Sequence, residues 1–278
     1  MNKIKLGIVG IGNMGSSHCQ KILKGEAPNV ELIAVCDTDE ERIEWCENNL
    51  PNVKVFDNAT KMFKYEGLDA VLIATPHYDH PAMAIEAFAN GLHVLVEKPA
   101  GVYTKQVLEM NEAAKKSGKV FGIMYNHRNL AAFQKIRQLV NDGSLGHIKR
   151  ISWIITTWYR LQCYHDSSSW RSNWKGEGGG ALINQNPHQI DLWQWMFGMP
   201  SRIMAHGGYG KYRNIEVEDE MVAYMEYDNG TIGTYITSTT ETPGTNRLEI
   251  ACDMGKLVFE NQKLTFWSNE VGEQEFDC

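Results

Sequence analysis

At 278 residues the chain can hold two modest domains, each with its own core. Its apolar fraction of 43% and charged fraction of 22% are ordinary for a globular protein, and 27 Lys plus Arg against 34 Asp plus Glu give a net charge of −7. That balance argues against nucleic acid or a membrane as partner, and no segment approaches the length of a membrane-spanning helix.

Lys3 and Lys5 precede a short apolar run that glycine soon interrupts, so the run reads as a first strand, Ile4–Val9, and not as a signal peptide. Gly10, Gly12 and Gly15 follow, and a helical pattern takes over through 16–23. Strand, tight turn and helix opening are the context in which G-x-G-x-x-G binds a dinucleotide pyrophosphate. Gly10 permits the sharp turn, Gly12 the approach of the phosphates, and Gly15 the close packing of helix on strand. Asn13 and Met14 complete the loop, whose helix N-terminus offers free N–H groups to the anion. The next strand, 31–36, ends at Asp37, at the spacing of about 20 residues where a carboxylate receives a ribose 2′-OH and repels a 2′-phosphate. NAD is therefore the expected cofactor, in preference to NADP.

Further strands are predicted at 53–56, 70–74, His93–Val96 and 120–124, with helices at Glu40–Asn49, 80–90 and 105–116 between them. This alternation implies a doubly wound parallel sheet over residues 1–124. Its carboxyl edge carries Thr75, Pro76 and His80 after one strand and Glu97-Lys98-Pro99 after another, where such sheets bind ligands, so these residues are expected at the cofactor. Glu97 and Lys98 read equally well as a solvated pair flanking a turn.

After residue 124 the rhythm changes. A helix at 130–141 leads to a strand at 147–157, an aromatic polar loop and another helix. Hairpin-like strands then follow at 202–208, 218–227, 231–239, 247–252, 256–260 and 263–267, with Asp228-Asn229-Gly230 and Asp253-Met254-Gly255 as turns. Residues 125–278 are thus expected to form an α+β domain on a largely antiparallel open sheet. The polar stretch 269–278 closes that sheet in no obvious way, and a C-terminally shortened domain is one expectation.

From the strand at 147–157 through the aromatic loop, Trp153, Trp158, Tyr159, Arg160, Tyr164, His165, Trp170, Arg171, Trp174 and Lys175 suit a sugar-binding wall: aromatic faces stack on C–H surfaces while the cations donate to hydroxyls. Packing in the core or at a subunit interface explains any single Trp as well. Cys163, His165 and Asp166 are crowded without a distant partner set, so no metal is expected. The six cysteines of the chain are scattered with no C-x-x-C, which fits a reducing cytoplasm.

The glycine loop, the turn at 74–80, Glu97-Lys98-Pro99 and the segment Gly178-Gly179-Gly180-Ala181-Leu182-Ile183-Asn184-Gln185-Asn186-Pro187-His188-Gln189-Ile190-Asp191 together resemble the glucose–fructose oxidoreductase / inositol dehydrogenase (Gfo/Idh/MocA) family. The last of these is similar to that family's G-G-G-x-L-x-D-x-x-x-H-x-x-D pattern. The resemblance implies that Lys98 and His188 serve the reacting hydroxyl or carbonyl, and that Arg128 borders nicotinamide and substrate; a salt bridge is the other reading of Arg128. Asn184 stands where the family has Asp. An amide exerts no charge on His188, which is then more often neutral near pH 7, with Asp191 as a further carboxyl partner. Asn184 and His188 share a helical face if the helix is continuous, whereas Asn186-Pro187 reads as a cap and first helical residue. Without the resemblance, His188 reads as a core histidine.

The expected activity is hydride transfer between NAD and a secondary hydroxyl of a sugar, cyclitol or glycoside, with Arg128, Tyr159, Arg160, Trp170, Trp174 and His188 at the substrate. Two alternatives are an NAD-retaining glycoside-cleaving enzyme and a non-catalytic NAD- and sugar-binding protein. The resemblance also implies a homodimer or homotetramer formed through the open sheet face.

Overall fold

The computed structural model describes residues 3–268, 270 and 272–276, and the chain divides into two compact units, 1–124 and 125–278. Among the described residues no helix is long and apolar enough to cross a membrane.

In the first unit, strands β1 (Ile4–Val9), β2 (Val30–Cys36), β3 (Lys54–Phe56), β4 (Ala70–Ile73), β5 (His93–Val96) and β6 (Phe121–Ile123) form a parallel sheet ordered β3-β2-β1-β4-β5-β6. The order reverses between β1 and β4, which makes their carboxyl ends the switch point at which such sheets take ligands. Both faces are buried, and period-2 alternation sorts the side chains between them. Val9, Ala34, Cys36, Val71 and Ile73 pack with Met62, Phe63, Ala84, Phe88 and Met110 of helices α3 (Ala59–Phe63), α4 (His80–Ala89) and α5 (Thr104–Ser117). Ile8, Val35 and Leu72 face Cys19 of α1 (Asn13–Leu23) and Cys46 of α2 (Glu40–Asn49). Burial pushes the thiols of Cys19 and Cys36 up to about 12 and that of Cys46 to about 11, so all three act as small apolar side chains.

Two elements differ from the sequence expectation here. Helix α1 begins at Asn13, inside the glycine loop, because Gly12 serves as its N-cap. The short α3 carries too few residues for a visible period, and the Asn58 side chain caps it by accepting from Lys61 N.

The second unit is built on β7 (Ile148–Ile155), β8 (Arg202–Tyr209), β9 (Glu218–Glu226), β10 (Ile232–Ser238), β11 (Asn246–Cys252), β12 (Gly255–Glu260), β13 (Lys263–Ser268) and β14 (Gly272–Phe276). They form one sheet ordered β14-β13-β12-β11-β7-β10-β9-β8, antiparallel except for the β7–β10 pair. Helices α6 (Ala131–Asn141) and α8 (Pro187–Phe197) cover one face, where Phe133, Ile136, Leu192 and Trp193 meet Ile151, Trp153, Tyr235, Leu248 and Phe259. Part of the stretch 269–278 adds a strand to the sheet: Gly272–Phe276, β14, pairs with β13, and Phe276, opposite Leu264, packs on the core, whereas Glu273, Gln274 and Glu275 give the strand no apolar run. Cys278 lies outside the described residues.

The opposite face is polar at its centre, where Arg150, Arg247, Glu249 and Glu260 form ion pairs along and across strands. Toward β8 it turns apolar. Met204 pairs in register with Tyr224, and the two are 63% and 37% exposed.

Candidate active site

In the first unit the glycine loop is shaped by close approach. Gly10 has φ of 87°, and a Cβ there would lie 2.7 Å from the Ala74 carbonyl. A Cβ on Gly15 would lie 1.9 Å from Gly10 O, so only glycine lets α1 approach the turn. Gly12 has open space where its Cβ would be. No side chain caps α1, which leaves first-turn N–H groups without a side-chain acceptor, and Asn13 and Met14 in that turn are exposed. A glycine-walled cradle at an uncapped helix N-terminus fits the pyrophosphate of a dinucleotide. Nearby, the Thr75 hydroxyl is buried without a hydrogen-bond partner in the protein.

Three acidic or basic side chains expected at the cofactor are tied to backbone. Asp37 Oδ2 accepts from Ile11 N at 2.6 Å, while Oδ1 accepts from Thr38 N at 2.8 Å and Asp39 N at 3.1 Å. A carboxylate has about four acceptor sites, so these three bonds leave it able to receive a ribose hydroxyl. The side chains of Glu97 and His80 turn inward. The Glu97 carboxylate lies 2.7 Å from His18 Nε2 and takes the Lys98 N–H at 3.1 Å; it is 6% exposed and faces inward. Burial alone would raise its pKa, but the His18 contact, the Lys98 charge and the Lys98 N–H hold it below the ordinary range.

His80 is 1% exposed, with Nδ1 2.7 Å from Pro99 O and Nε2 2.8 Å from Thr75 O. It ties together the two turns that carry Thr75 and Lys98, and neither ring nitrogen is left for a cofactor. Only an imidazolium donates to both carbonyls; burial opposes that form and lowers the pKa despite the two carbonyls and the charges of Glu97 and Asp79.

In the second unit, α8 starts at Pro187, as a proline-first helix should, but Asn186 does not cap it. Its side chain donates instead to Ala181 O and Thr237 Oγ1, tying the turn 181–185 to β10. That turn is π-type, so Asn184 and His188 do not share one continuous helix face. The His188 ring stacks on His127, with centroids 4.1 Å apart and planes 17° apart, and meets Tyr125 edge-on at 6.2 Å.

Asp191 is engaged by Arg128, through Nε at 2.7 Å and through a second guanidinium nitrogen. The salt bridge that was one reading of Arg128 is therefore made, with Asp191 as its partner, while the Arg128 side chain stays 39% exposed. Arg128 also lies over Trp195 and Tyr125, at 5.6 and 5.8 Å from their ring centroids.

Asn184 is buried, and its Nδ2 donates to Glu177 Oε1 and reaches Tyr164 Oη at 3.4 Å. Glu177, also buried, accepts Ser172 N at 2.7 Å on its other oxygen. Burial and the nearby Glu218 push the Glu177 carboxyl above its ordinary value, partly offset by Ser172, Asn184 and Arg171. Tyr164 Oη takes further bonds from Arg171 at 2.8 Å and Gln185 at 2.9 Å, and Arg160 donates twice to Gln185 Oε1.

The aromatic loop divides. Trp153 takes the core reading: it is fully buried between Phe133 and Tyr235, because it lies on the inward face of β7. Tyr159 and Trp174 are 38% and 49% exposed, Arg213 lies over the Tyr159 ring, and Arg171 lies over both Tyr164 and Trp170. Exposed rings beside guanidinium groups present the mixed surface that a polyol requires.

Residues 4–125 match the model of the oxidoreductase family with an NAD-binding Rossmann fold, and residues 133–258 match the GFO/IDH/MocA C-terminal domain. The chain belongs to the Gfo/Idh/MocA oxidoreductases. Its relatives include the D-glucoside 3-dehydrogenase of Escherichia coli (strain K12), 28% identical over 82% of this chain and 68% of the relative. The rhizopine catabolism protein MocA of Rhizobium meliloti is 28% identical over 71% of this chain and 58% of its own length. Among solved structures, the WlbA dehydrogenase from Bordetella pertussis, in complex with NADH and UDP-GlcNAcA, superposes with a TM-score of 0.85 at 28% identity, covering 92% of this chain and 73% of that one. The first unit of this Gfo/Idh/MocA member is accordingly an NAD-binding Rossmann domain. Sequence reasoning missed Glu177, although a lone acid directly before three glycines was a visible signal.

Proposed function

We propose that this chain is an NAD-dependent dehydrogenase acting on a secondary hydroxyl of a sugar, cyclitol or glycoside. The observation that carries the reading is the open glycine cradle at the start of α1, with Asp37 beside it at the end of β2. Gly10, Gly12, Asn13, Met14 and Gly15 would hold the pyrophosphate, Asp37 the adenosine ribose, and Thr75, Pro76 and Lys98 the nicotinamide side. When bound, NAD supplies the acceptor for the hydride that leaves the carbinol carbon.

The protein's own part is the proton and the orientation. His188 takes the hydroxyl proton, its ring held in plane by His127, and Lys98 assists as a second proton-carrying group. Tyr159, Arg160, Trp170 and Trp174 form the carbohydrate wall. Relatives named as a glucoside dehydrogenase and as a dehydrogenase with a bound nucleotide sugar support a ring hydroxyl as the target. The apolar end of the open sheet, around Met204, Val222 and Tyr224, supports assembly as a dimer or tetramer.

The test is NADH formation at 340 nm with a panel of inositols, free sugars and methyl glycosides. Turnover with at least one of them, lost in His188→Ala while NAD affinity stays within about twofold, is the expected result. No NADH across the panel, with NAD shown to bind, overturns the reading; aglycone release without net NADH points to the glycoside-cleaving alternative.

A further inference from the structure

Asn184 occupies the position where the family pattern has a carboxylate, yet a carboxylate is present one contact away. Glu177 reaches Asn184 from seven residues upstream, across the glycine turn that Glu218 pins by accepting Gly180 N and Leu182 N, each at 3.0 Å. An ionised carboxylate only accepts, so Glu177 dictates how the Asn184 carboxamide is turned: Nδ2 toward Glu177, Oδ1 away from it. The other Glu177 oxygen takes Ser172 N–H, at a residue that is buried and held at φ of 60°.

We propose that Glu177 is a positioning residue for the reaction: ionised, it locks the Asn184 carboxamide so that position 184 presents an acceptor oxygen, as a carboxylate there would, but without a second charge. This rests on the proposed dehydrogenase reading, in which Asn184 acts beside His188. Two donors converge on Glu177, and only the ionised form accepts both. A protonated carboxyl or a carboxamide has a single good acceptor oxygen and leaves one buried N–H unmatched. Burial and Glu218 favour protonation, Arg171 opposes it, and Tyr164 and His165, the latter bonded to Ser172 Oγ at 2.6 Å, are the other titratable groups around the site. Activity therefore falls with decreasing pH as Glu177 takes up its proton, at a pH above the ordinary glutamate range.

The geometry makes an exchange of chemistry the decisive test. In Glu177→Gln two NH2 groups compete for one acceptor arrangement. In Asn184→Asp two carboxylates face each other and must share a proton, which moves the acid limb upward. In the double variant E177Q/N184D a carboxamide at 177 accepts from Ser172 and donates to a carboxylate at 184, so the bonds to Ser172 and to position 184 are both restored.

With the fastest alcohol of the panel, each single variant is expected to lose about tenfold or more in kcat. The double variant should recover to within about threefold of the parent, with NAD affinity unchanged throughout. Thermal melting of the cofactor-free proteins should show the same pattern of loss and rescue, which keeps the test decisive if a single variant folds poorly. Losses that multiply in the double variant, or a Glu177→Gln enzyme with the parent's kcat and acid limb, overturn the proposal. The parent and His188→Ala in the same assay separate the two readings: no NADH from the parent removes the dehydrogenase reading itself, activity retained in His188→Ala removes the site beside which Asn184 is placed and the proposal with it, and activity lost there with a silent Glu177→Gln removes only the role of Glu177.

Discussion

The carboxyl edge of the first sheet and the 160–190 segment of the second unit use polar side chains in opposite ways. Around the glycine loop, Asp37 and His80 bind backbone groups, and Glu97 binds His18 and a backbone N–H. What that edge offers a ligand is largely main chain: helix N–H groups and glycine Cα surface. In the second unit, Glu177, Asn184, Tyr164, Gln185, Arg160 and Arg171 bind one another through side chains. A backbone cradle suits a ligand whose phosphates never change, and it tolerates variation of the side chains around it. A side-chain network can be retuned residue by residue, which is what substrate specificity requires.

The sharpest test of the backbone side compares two glycines of one loop. Gly15→Ala drives a methyl into Gly10 O, so it should lower NAD affinity by about 100-fold or more and depress the melting temperature. Gly12→Ala meets open space and should melt within about 2 °C of the parent, yet still lose NAD affinity by crowding the phosphates. Equal melting and equal binding in both, followed by calorimetry and fluorescence titration, would break the comparison.

Asp37→Ala comes next. It removes both the acceptor for the 2′-OH and the anchor of Ile11 N, so NAD affinity should fall about 10- to 100-fold and the gap to NADP should narrow. A parent protein that prefers NADP in titration would overturn the cofactor choice.

On the side-chain side, Arg128→Ala leaves the Asp191 carboxylate, 7% exposed, without its cation. Because Arg128 is itself 39% exposed, the loss should lie below that of a fully buried pair, about 2–4 kcal/mol in denaturant melts. Asp191→Asn, which leaves only the better-solvated guanidinium unpaired, should cost less.

The smallest effect concerns pH. Glu97 titrates below the ordinary range in the fold, so its contribution to stability is present above the usual glutamate value and disappears as pH falls through the lowered one. Glu97→Gln should therefore melt about 1 kcal/mol less stably near pH 6 and converge on the parent in acid. A constant difference across that window would show that packing, not charge, sets the role of Glu97.

The strands of the first sheet were legible because buried parallel strands are short, continuous apolar runs punctuated by glycine, and Asp37 because its place after β2 is fixed by loop length. The helix 59–63 and strand Gly272–Phe276 were not, since one has too few residues for a period and the other alternates charges at a sheet edge. For the candidate site, sequence spacing placed the glycine loop, Lys98 and His188 in their elements. It assigned His80 and Glu97 to a ligand, whereas the fold turns both side chains inward, and it left Trp153 between a binding wall and the core, a choice that strand parity makes for the core.

The sequence by itself determined which chemistry is present: a dinucleotide loop, a lysine at a strand's carboxyl end, and a histidine behind a glycine turn. Those signals are local, because glycine conformations and strand ends depend on neighbours within a few residues. Only the tertiary structure decided the partners: Glu177 with Asn184, Arg128 with Asp191, and His127 with His188. Each of these pairs is made by how the chain turns between its members, through a glycine turn in one case and a return of the chain after many residues in the others, and a linear pattern carries no record of that.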